Sequence, residues 1–222
     1  MFTTSLILLA GGKGSRFGGT LPKQYLSLLK KPVALHSFDL FLEIPTISEI
    51  VVVCEPHYQH FFSSSSKPIA FALPGERRQD SVFSGLQKTT CDVICIHDAA
   101  RPFPEKSQVI ELLKDAFEIG ASALGVPVSN TMKECTSFNQ VVKTVPRSSL
   151  WEIQTPQAIK RDLLTLGFQK AYRENIEVTD DVALIELLRK PVKITMGSKK
   201  NIKITTPFDL ELATFLCERN TN

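Results

Sequence analysis

LILLAGGKGSRFGGTLPKQ, residues 6–24, is the stretch on which the reading of this chain turns. The apolar or small residues from Ser5 to Ala10 suit a parallel strand buried on both faces, where side chains need not alternate with polar ones. At the glycines the chemistry changes. Gly11, Gly12 and Gly14 lack a Cβ, so the backbone can take positive φ and bring its N–H groups close to an anion. Lys13, Arg16 and Lys23 set positive charge around it. Spacing excludes two familiar phosphate motifs. The lysine of a P-loop is followed by Ser or Thr, whereas Lys13 is followed by Gly14. A dinucleotide fingerprint counted from Gly12 and Gly14 needs a small residue at 17, where Phe17 stands. The stretch reads as a strand feeding a third kind of phosphate cradle.

Composition bounds what surrounds that cradle. With 222 residues, 43% of them hydrophobic, the chain can bury one core and is short for two, so a single domain (residues 1–222) with an appendage is expected. A net charge of +3, with Lys and Arg spread along the chain, gives no basic patch for nucleic acid and is satisfied by an anionic small molecule. The N-terminus runs into the first strand without a signal-peptide pattern, and no apolar run approaches membrane-spanning length, so the expectation is a soluble, cytoplasmic protein. Five cysteines, odd in number and without a C-x-x-C pair, argue against a disulfide framework or a zinc site.

Working outward, apolar runs at Glu49–Cys54, Ile69–Leu73, Val93–Ile96, Ala121–Val128 and Pro191–Met196 read as further strands. Helices are expected over Val33–Glu43, from about Gln79 to Lys88, from Glu105 to Gly120, from Arg161 to about Glu174, after a Thr179 cap, and from Thr206–Pro207 onward. This alternation predicts an α/β fold, a Rossmann-like doubly wound, mostly parallel sheet. Ligands of such sheets sit at the carboxyl ends of strands. Gly75 and Ser81 follow the third strand there, and Asp98 follows the fourth, where a carboxylate beside a phosphate loop can hold magnesium. Arg101 can fork onto Asp98 or a phosphate. Asp180 and Asp181 suit the first turn of a helix. Lys203 lies between Ile202 and Ile204, so its side chain points away from theirs. Residues 129–150 change pattern to short β-prone pieces, read as a projecting hairpin arm that packs on a second subunit.

Together LAGGKGSRFG with PKQ, GERRQDSV, HDAARP, NTMK, VPRSSLW, QTPQ, TDD and NIKITTPFDL resemble the 2-C-methyl-D-erythritol 4-phosphate cytidylyltransferase family of the non-mevalonate isoprenoid pathway, over nearly the whole chain. The resemblance implies a homodimer clasped by hairpin arms, Mg²⁺, and conversion of CTP and methylerythritol phosphate to the CDP-linked alcohol and pyrophosphate. By position it implies catalytic roles for Arg16, Lys23, Lys203 and Asp98, with Asp98 also ordering the metal. Nucleotide contacts fall on Ala10, Gly11, Gly12, Gly14, Gly75 and Ser81. Contacts to the polyol phosphate fall on Arg101, Thr131, Arg147 and Thr179, with Thr131 and Arg147 reaching the neighbouring subunit. The chain departs from the family pattern at Asn130 and Lys200. The alternatives are ribitol 5-phosphate cytidylyltransferase, which shares the CTP half of the motifs, and a nucleotide-binding regulatory module without turnover.

Overall fold

The computed structural model describes residues 2–12, 17, 21–63 and 66–219. Among them, seven strands form one sheet: β1 (Thr4–Leu9), β2 (Ile47–Val53), β3 (Ile69–Ala72), β4 (Val93–Asp98), β5 (Ala121–Pro127), β6 (Trp151–Lys160) and β7 (Lys193–Met196), in the spatial order β7-β5-β6-β4-β1-β2-β3. Six of the strands run parallel, and β6 pairs antiparallel with both β4 and β5. This is the α/β, mostly parallel sheet expected from the alternation of apolar runs and helical periods.

β1 shows why the sheet is covered on both faces. Leu6, Ile7 and Leu8 are each fully buried. Leu6 and Leu8 pack on one side with Phe38 and Phe41 of α1 (Val33–Leu42), while Ile7 packs on the other with Val82 and Leu86 of α2 (Arg78–Leu86). Burying one such side chain contributes about 1.5–3 kcal/mol, and alternate residues of one strand feed two cores. Helix α3 (Lys106–Ile119) joins the first side, and α4 (Arg161–Arg173) and α5 (Ala183–Leu187) join the second. Helix α3 stops at Gly120, whose φ of 116° favours glycine. Helix α6 (Pro207–Arg219) closes a small third cluster with Leu28, Val33 and Ile204. No helix among the described residues is long and apolar enough to cross a membrane.

Strand β6 is the element the sequence hides. WEIQTPQA reads as a connection ahead of a helix, yet residues 151–160 lie in the middle of the sheet. A proline inside a run argues against a central strand. Here the register with β5 breaks between Ile153 and Gln157, and that irregularity accommodates Pro156. Smaller differences are local. Between β2 and β3 the chain makes a 3-10 segment, Pro56–Phe61. A tight pairing of Ser27–Leu28 with Lys31–Pro32 precedes α1, its turn residues Leu29 and Lys30 both at positive φ.

One carboxylate ties the amino-terminal end of the sheet. Glu49 Oε1 accepts from Ser5 Oγ at 2.5 Å and Thr90 N at 2.6 Å, and its Oε2 accepts from Thr90 Oγ1 at 3.0 Å. Burial pushes this carboxyl up, but the hydrogen bonds outweigh it and hold it below its ordinary value. A lowered carboxyl contributes stability above the unfolded pKa that is lost as pH falls through the folded one. The stability advantage of wild type over Glu49→Gln, read from urea midpoints, is therefore expected at pH 7 and to fade below pH ~4. An advantage that persists unchanged at pH 3 would contradict this.

Residues 129–150 form the projecting arm, with Met132–Cys135 paired antiparallel to Val141–Val145. The turn between them folds through Asn139 at φ 59°. Phe138, Val141 and Val142 are exposed at 85%, 60% and 58%, which puts three apolar side chains on the surface of the arm.

Candidate active site

A cleft of about 640 Å³ opens at the carboxyl ends of β1, β3 and β4. Gly11, Gly12, Lys23, Gln24, Pro74, Gly75, Arg78, Ser81, Asp98 and Lys203 line it, so the structure gathers half of the sequence-derived candidates there. Gly14 and Arg16 lie outside the described residues.

The glycine stretch is built differently from the expectation. A Cβ on Gly11 would come within 2.4 Å of Pro74, so its bareness serves packing of the loop after β3. Among the described residues nothing lies within 4 Å of where a Cβ on Gly12 would stand, and Gly12 lines the cleft. Ala10 is buried: its N–H donates to Val53 O, and its carbonyl accepts from Gln24 Nε2 at 2.7 Å and the Tyr25 hydroxyl at 2.9 Å. With donor and acceptor both engaged, Ala10 anchors the start of the glycine stretch. Gln24 Nε2 also donates to Gly12 O at 2.9 Å, clasping the glycine stretch to the turn that carries Lys23.

Across the cleft, Ser81 Oγ accepts from Gly75 N at 3.0 Å and donates to Arg77 O, and a Cβ on Gly75 would lie 2.4 Å from Asp80. The two residues brace the start of α2. Asp80 caps that helix through Arg77 N and is gripped by the Arg77 guanidinium.

At the floor, Asp98 ends β4 and takes one cation on each oxygen. Lys203 Nζ lies 2.6 Å from Oδ2, and Arg78 Nε lies 3.1 Å from Oδ1. Burial pushes the Asp98 carboxyl up, but the Arg78 and Lys203 charges win and hold it well below the usual carboxylate range. The other end of Arg78 forks onto Asp181, with Nη1 and Nη2 each 2.8 Å from a carboxylate oxygen. Burial opposes the charge on Arg78, and the two carboxylates overcome it and raise its pKa. Asp181 is thus a buried partner of a cleft arginine, not a helix-dipole residue, and helix capping falls to Asp180, which accepts from Ala183 N at 3.1 Å. Thr179 is exposed and caps nothing.

None of the four substrate candidates, Arg101, Thr131, Arg147 and Thr179, lines the cleft. Arg101 makes no ion pair with Asp98 among the described residues; its Nη1 donates to Asn201 O at 2.7 Å and its Nε is buried without a partner. The turn closed by Arg101 N on Asp98 O swings the arginine toward the loop before Lys203. Thr131 and Arg147 sit on the arm, both exposed, and neither lines the cleft of its own chain. Arg147 Nη1 donates to Ser129 O. Arg78 and Asp181 lie in GERRQDS and TDD, both of which stand out as motifs; that the two pair is what the sequence does not show.

A family model for 2-C-methyl-D-erythritol 4-phosphate cytidylyltransferase matches residues 4–219. The chain is 49% identical over 217 residues to the chloroplastic 2-C-methyl-D-erythritol 4-phosphate cytidylyltransferase of Oryza sativa subsp. japonica, covering 95% of this chain and 73% of that one. It is 43% identical to the enzyme of that name from Chlamydia pneumoniae, over 96% and 98% of the two chains. Among solved structures, the Francisella tularensis enzyme superposes with a TM-score of 0.83 at 30% identity, covering 96% of this chain and 99% of the other. The 4-diphosphocytidyl-2C-methyl-D-erythritol synthase of Anaerococcus prevotii DSM 20548 gives 0.88 at 25% identity, covering 98% and 97%. With the cleft, its paired charges and these relatives in agreement, the chain belongs to the 2-C-methyl-D-erythritol 4-phosphate cytidylyltransferase family.

Proposed function

We infer that this protein transfers the cytidylyl group of CTP to 2-C-methyl-D-erythritol 4-phosphate, giving 4-diphosphocytidyl-2-C-methyl-D-erythritol and pyrophosphate. The observation that carries the reading is the convergence of Lys23, Lys203, Arg78 and Asp98 on one cleft in a member of this family. A phosphate oxygen of the acceptor attacks the α-phosphorus of CTP in line. The bond from that phosphorus to the bridging oxygen breaks, and pyrophosphate leaves with the electron pair. Both partners supply their own reactive oxygens, so no protein nucleophile is needed.

The difficulty is charge. Two like charges about 4 Å apart repel by roughly 4 kcal/mol at an effective dielectric near 20. Lys23 and Lys203, with Arg16 by its place in the signature, offset that repulsion and the charge gathering at the α-phosphate. Gly12 leaves room for the triphosphate to approach the backbone. Each Asp98 oxygen keeps a lone pair beyond its cation, which fits one ligand of a magnesium ion completed by phosphate oxygens and water. When bound, that ion would neutralise phosphate charge. Both substrates are charged metabolites, so the reading carries a cytoplasmic location and no nucleic-acid or membrane partner.

The test is pyrophosphate release by purified protein with CTP, magnesium and methylerythritol phosphate, with ribitol 5-phosphate in a parallel arm. Preference for ribitol phosphate would replace the acceptor, and no release with either would favour the regulatory module.

The proposal extends to a homodimer in which the exposed arm brings Thr131 and Arg147 to the partner's acceptor phosphate. The apolar surface at Phe138, Val141 and Val142 supports it, as does the distance in fold between the arm and its own cleft. Arg147→Ala should raise KM for the polyol phosphate more than for CTP. Mixing and re-pairing Arg147→Ala with Lys203→Ala chains should recover about one-quarter of wild-type activity, because half of the random pairs hold one complete site of two. No recovery on mixing would mean the arm serves its own chain.

A further inference from the structure

We propose that Gln154, Thr155 and Gln157, on the antiparallel strand β6, are positioning residues for the transfer reaction, each fixing one of the three loops that bring Lys203, Asp98 and Asp181 to the cleft. The proposal rests on the transferase reading above. These side chains belong to residues only 7%, 5% and 1% exposed, in the middle of the sheet, where apolar residues would fill the space without a desolvation cost. Their polar atoms bond chiefly to other segments of the chain.

Gln154 Nε2 donates to Ser198 O at 2.9 Å, and its Oε1 accepts from Asn201 Nδ2 at 3.2 Å. Asn201 Nδ2 also donates to Thr155 O at 2.8 Å, so residues 198–201 are fixed to β6 just ahead of Lys203. The fit is close, since a Cβ on Gly197 would lie 2.5 Å from Gln154 Oε1.

Thr155 holds the neighbouring loop. Its Oγ1 accepts from Asp98 N at 3.0 Å and lies 3.2 Å from His97 Nδ1. His97 Nε2 faces Arg101 O at 2.9 Å, an acceptor, so Nε2 carries the ring proton. Nδ1 is then the acceptor, and the Thr155 hydroxyl donates to it. One hydroxyl thereby fixes the strand end at Asp98 and, through the imidazole, the carbonyl of Arg101.

Gln157 holds the third. Its Oε1 accepts from Asp181 N and Val182 N, both at 2.9 Å, and its Nε2 donates to Asp180 Oδ2 at 3.2 Å and to Gln154 O at 3.3 Å. Asp181 in turn grips Arg78, which holds Asp98. A single strand thus sets the relative positions of groups drawn from distant parts of the chain. Misplacement of reacting groups by about 1 Å can cost up to 10²-fold in rate.

The experiment compares Thr155→Val, Thr155→Ser, Gln154→Met and Gln157→Met, each assayed well below its own Tm. Thr155→Val and the two methionine variants should lower kcat roughly tenfold or more while KM for CTP stays within about threefold. Thr155→Ser keeps Oγ and should stay within about threefold of wild type. Should Gln157→Met not fold, Gln154→Met and Thr155→Val carry the test, with the outcomes given for them. Variants with lowered Tm but wild-type kcat would make the three residues merely structural and overturn the proposal. An equal loss in Thr155→Ser and Thr155→Val would assign the effect to packing rather than to the hydroxyl, and would overturn it too. A wild type without turnover refutes the transferase reading itself, whereas an active wild type beside fully active variants refutes only the positioning role.

Discussion

Lys203→Ala is expected to lower turnover roughly 10²- to 10³-fold, the scale seen when one preorganised donor to a transition state is removed. The side chain is 36% exposed and its ammonium is already held 2.6 Å from Asp98. That geometry makes the cation available at the cleft without a rotamer search. The fold should tolerate the change, because the neighbouring Ile202 and Ile204, rather than the lysine, pack into the cluster beneath α6. Steady-state kinetics with both substrates, beside a thermal melt, separate the two effects. A loss of tenfold or less would reduce Lys203 to a structural partner of Asp98.

The second large effect is on stability. Arg78→Met should cost about 3 kcal/mol, the lower part of the range for breaking a buried ion pair, since Arg78 itself keeps 30% of its side chain exposed. Its two partners lack that escape: the Asp181 and Asp98 side chains are 2% and 11% exposed. Asp98 would retain Lys203, and Asp181 would be left as a buried charge. Adding Asp181→Asn to Arg78→Met should therefore restore part of the loss in urea unfolding, a coupling that independent sites would not display. A cost under 1 kcal/mol, or strict additivity, would mean that water already reaches the pair.

The contrast between these residues says what a sequence exposes. The strand-to-glycine transition at residues 6–24 was legible because local patterning makes it: an apolar run buried on both faces, then a stretch stripped of Cβ atoms. Asp98 and Lys203 were legible because each stands at a strand end or between two apolar neighbours, so its direction follows from local geometry. The fork between Arg78 and Asp181 spans 103 positions, and nothing local to either names the other as its partner. Arg101 misled for the opposite reason. Proximity in sequence suggested a fork with Asp98, but the turn between them sends the guanidinium to Asn201. Strand β6 stayed hidden because its central residues, Gln154 to Gln157, are polar or proline, and the reason lies in loops more than 20 residues away. Ala10 and Gly11 show the same limit in the loop itself. Their types were informative, and their roles, as anchor for Gln24 and Tyr25 and as a seat for Pro74, depend on what folds against them.

The arm has a root with an unusual property. Pro127 and Trp151 face each other directly in the ladder between β5 and β6, so the excursion of residues 128–150 begins and ends at one rung of the sheet. Cut back to a short turn, it would leave an ordinary antiparallel hairpin, with every rung of the core intact. The arm and the sheet are therefore separable in this chain. Descent can lengthen, trim or re-surface the arm without asking the sheet to change its fold.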